Sequence, residues 1–577
     1  PASAAPAGGE RGQQPAFELS PCDVPGVPGK ARCGTYEVWE NRQAGSGRRI
    51  GLKVVVLPAT GPTREPDALA FLAGGPGEAA TTAAPSLASR FRATCEHRDV
   101  LLVDQRGTGG SHPLDCDLYP GGDPQRALGR FFPPERVAEC RARLEKTADL
   151  GQYTTSNFVD DLDEVRGALG YPALDLFGGS YGTRAALVFI RRHPGHVRTA
   201  VLQGVAPTTD PMPLHFARDA QNAIDKVFAE CAADASCHAA FPKLSPELAA
   251  IVDRAQSAPV SVNIIDPATA DAVRVSLSRN LLGESLRYLM YESATAILVP
   301  SLVHQAAGGD FAPLAEFALF SRRQIVNTLG QGLYLSVTCS EDLPFISPNE
   351  AQRAAAGTFL GDYRYVDQRA ACNAWVRGRI PADFTQPVRG SVPVLMFSGT
   401  WDPVTPPSNA TQAASTLPNA LSLVIKAGGH DYTGLRGAEP CVSRIVEAFV
   451  SSGRTAGLDT SCIDAIGRPA FPTSPLPTAP VPLTAAQMQA FVGRYAGNGV
   501  PDLVISLENG RLRAGIATEP SLVLVPVSPT RLRVVGALGS YLNAQVKEGK
   551  VVGLALEQSG TRAVAWSRQP RPPTPDS

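Results

Sequence analysis

The chain has 577 residues, 44% apolar and 19% charged, a balance that excludes a disordered tail or a filament and points to two or three domains. Its 53 basic and 54 acidic side chains nearly cancel and form no long block of one sign, so nucleic acid is not an expected partner. No run of about 18 apolar residues occurs, so no segment reads as a transmembrane helix and the mature protein is expected to be soluble.

Pro1 to Gly9 is rich in small residues and is similar to the stretch around a signal-peptidase cut, from which export is inferred. Eleven cysteines follow without zinc-ribbon spacing, so disulfides are the better reading. Local pairs Cys22 with Cys33, Cys231 with Cys237, Cys339 with Cys372 and Cys441 with Cys462 suit an oxidising compartment. Of the remaining three, Cys116 is paired with Cys140 and Cys95 is left over, although spacing alone does not fix connectivity. A secreted or periplasmic location is the expectation.

Short runs rich in Val, Leu and Ile, bounded by turn residues, read as strands buried on both faces. Eight are expected, around 34–40, 50–57, 68–72, 100–103, 174–177, 200–202, 392–397 and 421–425, the first two as a hairpin. Helical stretches such as 156–169, capped by Thr154, Thr155 or Ser156, alternate with the later strands and imply a mostly parallel sheet. From about 208 to 386 that alternation stops, and amphipathic stretches such as 282–291 suggest an inserted helical cap. A Pro- and Thr-rich linker over 471–482 leads to near-alternating segments at 503–507, 511–515, 522–526, 532–535 and 551–557, read as a small all-β domain over 483–577. The first domain would then comprise 1–207 and 387–470.

Gly178-Gly179-Ser180-Tyr181-Gly182 lies between a strand run and a helix run, the setting of a nucleophile elbow. A tight strand-to-helix turn strains the serine backbone, and small neighbours let other chain pass close by. Serine needs a base, and among eight histidines His430, in the Gly428-Gly429-His430 loop after the last strand, fits the order serine, acid, histidine. Asp402, ending the preceding strand, is the orienting acid; Asp431, adjacent to the histidine, is the weaker rival. His193 and His196 near the end of the helix behind Ser180 are read as structural cations. An oxyanion hole needs two N–H donors, Tyr181 and an amide of the Ala73-Gly74-Gly75-Pro76-Gly77 loop, with Gly75 or Gly74 as donor because Pro76 has none. Asp104 and Arg106 are read as an internal ion pair bracing loops.

Together, Ala73 to Gly77, Val103 to Ser111, Gly178 to Thr183, Gly399 to Pro406 and Gly428 to His430 resemble the prolyl iminopeptidase and tripeptidyl aminopeptidase family of α/β-hydrolases. The resemblance implies an α/β-hydrolase fold with an eight-stranded, mostly parallel sheet. It also implies a serine exopeptidase acting near the free N-terminus of short peptides, without metal or organic cofactor. Ala73 stands where the prolyl iminopeptidases carry His, which weakens proline release. Val337 to Asp342 resembles a substrate-adjacent segment of that family, making Glu341 and then Asp342 candidate anchors for the ammonium group. The segment from Leu483 to Ser567 also resembles a β-domain appended to secreted serine hydrolases. A carboxylesterase or amidase on small esters or amides, using the same triad, is the alternative. A monomer or small homo-oligomer is expected.

Overall fold

The computed structural model describes residues 17–497, 500–516, 521–559 and 561–569, so Pro1 to Gly9 lies outside the described residues. The strands of the first part are β1 (Ser20–Cys22), β2 (Ala31–Trp39), β3 (Arg49–Leu57), β4 (Ala68–Leu72), β5 (Asp99–Val103), β6 (Leu174–Gly179) and β7 (Val197–Gln203). Those that follow are β8 (Val260–Ile265), β9 (Ala272–Leu277), β10 (Val394–Gly399) and β11 (Ala420–Ile425). Nine of them form one sheet in the order β1-β2-β3-β5-β4-β6-β7-β10-β11, parallel from β5 onward and antiparallel at the β1–β3 edge. The strand added to the eight read from sequence is β1. Its three residues carry no apolar run, and it is held to β2 by pairing and by the Cys22–Cys33 disulfide.

Side chains alternate across the sheet. Ala68, Ala70 and Leu72 of β4 pack on one face with the helices Thr155–Ala168 and Tyr181–Arg192, whereas Leu69 packs on the other with Ala84–Arg90 and Ala438–Ser452. Both faces are covered, which is why the strands read as continuous apolar runs. The other disulfides are Cys116–Cys140, Cys231–Cys237, Cys339–Cys372 and Cys441–Cys462, and Cys95 is free. Among the described residues no helix is long and apolar enough to cross a membrane.

The insertion between β7 and β10 is mainly helical and includes the β8–β9 hairpin. Its helix Phe216–Ala233 shares one continuous apolar core with Phe177 and Val201 of the sheet, so the insertion is packed onto the sheet. The segment read as a linker is tied down too: Ser301 Oγ donates to the Ser474 carbonyl at 3.0 Å, and the Leu476 N–H donates to Gln305 at 3.1 Å.

At the C-terminal end, β12 (Gly493–Gly497), β13 (Leu503–Glu508), β14 (Arg511–Ile516), β15 (Leu522–Ser528), β16 (Arg531–Val534), β17 (Ser540–Lys547), β18 (Lys550–Gln558) and β19 (Thr561–Arg568) close into an antiparallel barrel. Closure, through pairing of β12 with β19, removes the exposed edges of an open sheet. β12, β17 and β19 are additional to the five segments read from sequence. The barrel docks on the cap through a buried bidentate ion pair, Arg533 to Glu316 at 2.6 and 3.1 Å. Gly536, at φ +82, lies so close that a Cβ there would stand 2.5 Å from Phe320 Cβ.

Candidate active site

Ser180 occupies the turn between β6 and the helix Tyr181–Arg192, with φ 53 and ψ −123. The flanking glycines are steric requirements. A Cβ on Gly178 would meet the Gly182 carbonyl at 2.5 Å, and one on Gly182 would meet the Leu72 carbonyl of β4 at 1.9 Å. Tyr181 begins the helix, where N–H groups lack intrahelical acceptors and the dipole favours negative charge.

His430 Nδ1 lies 2.9 Å from Asp402 Oδ2. The β10–β11 crossover brings them together: Gly399 ends β10 in such close contact that a Cβ would stand 2.1 Å from the Gly428 carbonyl. Asp402 also accepts from the Val404 and Thr405 amides, each at 2.9 Å, and from Thr405 Oγ1 at 2.7 Å. Thr405 Oγ1 is in turn 2.9 Å from His430 Nδ1, a supporting role that the sequence reading missed. Burial opposes charge on His430, but Asp402, with Asp431 and Glu78, outweighs it and holds the imidazole above its ordinary pKa. Burial likewise opposes ionisation of Asp402, yet His430 and Thr405 hold it below the usual carboxylate range. The rival acid Asp431 accepts instead from the Thr433 amide and hydroxyl. From the cap, Ser293 Oγ donates to the Ala427 carbonyl at 2.8 Å and accepts the Gly429 N–H at 3.1 Å, bracing the histidine loop.

Ser180, His430, Gly74 and Gly75 line one cleft of about 330 Å³, roofed by cap residues including Tyr288, Tyr291, Leu329 and Tyr334. Gly75 has φ +104, and a Cβ there would stand 2.7 Å from the Gly77 nitrogen and 2.9 Å from Leu329 Cδ1. Glu78, on the same loop, also lines the cleft. Its Oε2 and Ser180 Cβ both lie within 3.5 Å of where a Gly74 Cβ would stand. Desolvation raises the Glu78 carboxyl above its ordinary pKa, while the Gly74 N–H and His430 pull it down.

Two expectations need correction. Glu341 and Asp342, read as ammonium anchors, do not line this cleft. Glu341 Oε1 accepts the Thr155 N–H at 2.7 Å and Oε2 the Thr155 hydroxyl at 2.6 Å, so it caps the start of a helix. Burial pushes its pKa up to about 7. Asp342 is committed to buried Arg184 at 2.6 Å and to the Met212 N–H. Removing one partner of such a pair costs about 3–5 kcal/mol. A helix end rich in acids and polar residues does not reveal which side of the fold it faces.

Asp104 and Arg106 are not paired with each other. Asp104 accepts from Thr81 and the Gly110 N–H, whereas Arg106 forms a bidentate pair with Asp161 at 2.6 and 2.8 Å. Both brace loops, with different partners. His193 and His196 pair with Asp160 and Asp163 outside the cleft. With Asp163 they are the described cluster whose donor atoms could surround a metal, but the Arg166 guanidinium already stands 3.0 Å from His196 Nδ1 and opposes a second cation there.

A family profile described as alpha/beta hydrolase fold matches residues 67–258, and one described as TAP-like protein matches 358–462, which spans β10, Asp402 and His430. The chain therefore carries an alpha/beta hydrolase domain and a TAP-like segment. This hydrolase is similar to serine protease Hip1 of Mycobacterium tuberculosis, 26% identical over 479 residues, covering 76% of this chain and 88% of that protein. It is also similar to tripeptidyl aminopeptidase of Streptomyces lividans, 24% identical over 470 residues, covering 76% and 84%. Among solved structures, proline iminopeptidase of Mycobacterium smegmatis aligns over 73% of this chain and 98% of its own, with 16% identity and a TM-score of 0.35.

Proposed function

We propose that this hydrolase is an exported serine exopeptidase that cleaves near the free N-terminus of short peptides through an acyl-enzyme. The observation that carries this reading is that His430, 2.9 Å from Asp402, lines the same roofed cleft as a Ser180 held at positive φ. In the proposed reaction Ser180 Oγ attacks the scissile carbonyl carbon while His430 Nε2 takes its proton. Asp402 fixes the imidazole tautomer and stabilises the imidazolium, and the amides of Tyr181 and Gly75 hold the oxyanion. Collapse of the tetrahedral adduct breaks the C–N bond, with His430 giving its proton to the leaving amine. Water, activated by the same histidine, then releases the acyl group.

The names of the relatives support a peptidase, and the cap roof favours short substrates. With Glu341 and Asp342 engaged elsewhere, Glu78 is the acid proposed to receive the substrate ammonium, since it faces the cleft beside Ser180. Five disulfides support maturation in an oxidising compartment, hence secreted or periplasmic.

Digestion of short unmodified peptides, read by product mass, is expected to yield N-terminally shortened products, with N-acetylated peptides resistant. Glu78→Gln is expected to raise KM for free-amine peptides about tenfold. Equal cleavage of acetylated and free peptides would overturn the exopeptidase reading, and rapid turnover of acyl esters with no peptide cleavage would favour an esterase.

A further inference from the structure

The cap wall of the cleft carries more positive charge than its own carboxylates offset. Arg287, on the helix Arg279–Leu289, and Arg364, on the helix Tyr363–Asn373, both line the cleft that holds Ser180. Arg322, on the helix Ala312–Thr328, lies over one ring with Arg364: their guanidinium carbons stand 4.6 and 4.9 Å from the centre of Phe131. All three arginines are at most 5% exposed.

Glu284 is the carboxylate set among them. Its Oε2 accepts from Arg287 Nε at 3.3 Å and Nη2 at 3.0 Å, while Oε1 stands 3.4 Å from Arg364 Nε as an ion pair without a hydrogen bond, so both buried atoms lack a hydrogen-bond partner. The next acid, Asp367, is held by Arg130 at 2.6 Å and by the N–H groups of Phe131 and Phe132. The other partners are neutral phenols: Tyr291 for Arg287 at 2.8 Å, Tyr334 for Arg364 at 3.3 Å and Tyr119 for Arg322 at 3.1 Å. Guanidinium does not deprotonate in a protein, and Arg287 and Arg364 share the single carboxylate of Glu284, so this wall has donors for a second anion.

We propose that Arg364 and Arg287 form a carboxylate-binding subsite of the catalytic cleft, so that preferred substrates are short peptides presenting a carboxylate to the cap. This rests on the serine exopeptidase reading and names its substrate class. The planar fork of a guanidinium matches a carboxylate in two parallel hydrogen bonds, and Arg364 has donor capacity that Glu284 does not use. The acids of the cleft, Glu78 and Asp431, belong to the oxyanion and histidine loops on the catalytic-domain side, so the two walls differ in sign. The carboxylate can come from an acidic side chain or from the peptide's own C-terminus, and a cleft of about 330 Å³ brings a C-terminus within reach only when the peptide is short.

The test measures kcat/KM of the full chain in two arms: tripeptidyl arylamides with Asp or Glu against the same compounds with Asn or Gln, and free-acid tripeptides against their C-terminal amides. At least one arm is expected to favour the carboxylate about tenfold or more, and the arm that does so identifies its source. Arg364→Gln should bring that ratio close to one, and Arg364→Lys, which keeps the charge without the fork, should restore part of it. Ratios near one in both arms of the unaltered protein overturn the proposal even if the variants fail to fold, as does a preference that persists in a folded Arg364→Gln. An acyl-enzyme burst with p-nitrophenyl acetate, a substrate without a carboxylate, reports separately on the underlying hydrolase reading; no burst and no peptide cleavage would remove that reading.

Discussion

Asp402→Asn is expected to lower kcat about 10⁴-fold while the protein still folds, and to move the acid limb of the pH–rate profile to lower pH. Asparagine keeps an oxygen for the Val404 and Thr405 amides, so the local loop persists. The charge that offsets burial of His430 is lost. In the proposed reaction the working base is the neutral imidazole, whose pKa is held above its ordinary value because Asp402, Asp431 and Glu78 together outweigh desolvation. Activity of the unaltered protein should therefore fall as pH drops through a midpoint above 6.5. Without Asp402 the desolvation remains and the largest opposing charge is gone, so protonation of His430 requires more acid. Steady-state kinetics across pH check both parts. A variant with nearly full kcat would pass the acid role to Asp431.

Gly182→Ala is expected to yield no folded protein, read as loss of soluble expression or of a cooperative thermal transition. The new methyl carbon would stand 1.9 Å from the Leu72 carbonyl oxygen, and both sides of the clash are backbone. Relief requires the helix Tyr181–Arg192 to lift from β4, at the centre of the sheet, a penalty above about 4 kcal/mol. Gly179→Ala is the matched control. No atom lies within 4 Å of a Cβ there and its φ is not positive, so the melting curve should be nearly unchanged. The glycine two residues after the serine is thus dictated by packing, and the one before it is not.

The contrast shows what was legible in the sequence. Ser180, Asp402 and His430 could be proposed as a set because each follows a parallel strand, β6, β10 or β11, and chain order on such a sheet specifies which loops meet at its top. The strands themselves were legible because burial on both faces leaves continuous apolar runs, as at Val100 to Val103 and Val394 to Phe397. β1 was not, since a three-residue strand held by a disulfide needs no apolar pattern. β12 and β17 were harder for a related reason: a closed barrel buries one face, and Gly, Asn and Ser interrupt the alternation.

The cap was legible as helical but not in what it presents to the cleft. Arg287 and Arg364 come from separate helices, and Glu284 sits one turn before Arg287, a spacing that reads as an ordinary surface pair on an amphipathic helix. Only the packing buries that pair and turns Arg287 toward the cleft that holds Ser180. Glu341 failed as an anchor for the converse reason, because its neighbours along the chain resemble a substrate-facing segment whereas its hydrogen-bond partners belong to the start of another helix.

The most direct measurement of the catalytic account is covalent labelling with a serine-directed phosphonate followed by peptide mass mapping. Inactivation should proceed with one adduct per chain, on the peptide containing Ser180, and Ser180→Ala should take up no label. Full inactivation with the adduct on another residue would contradict the account.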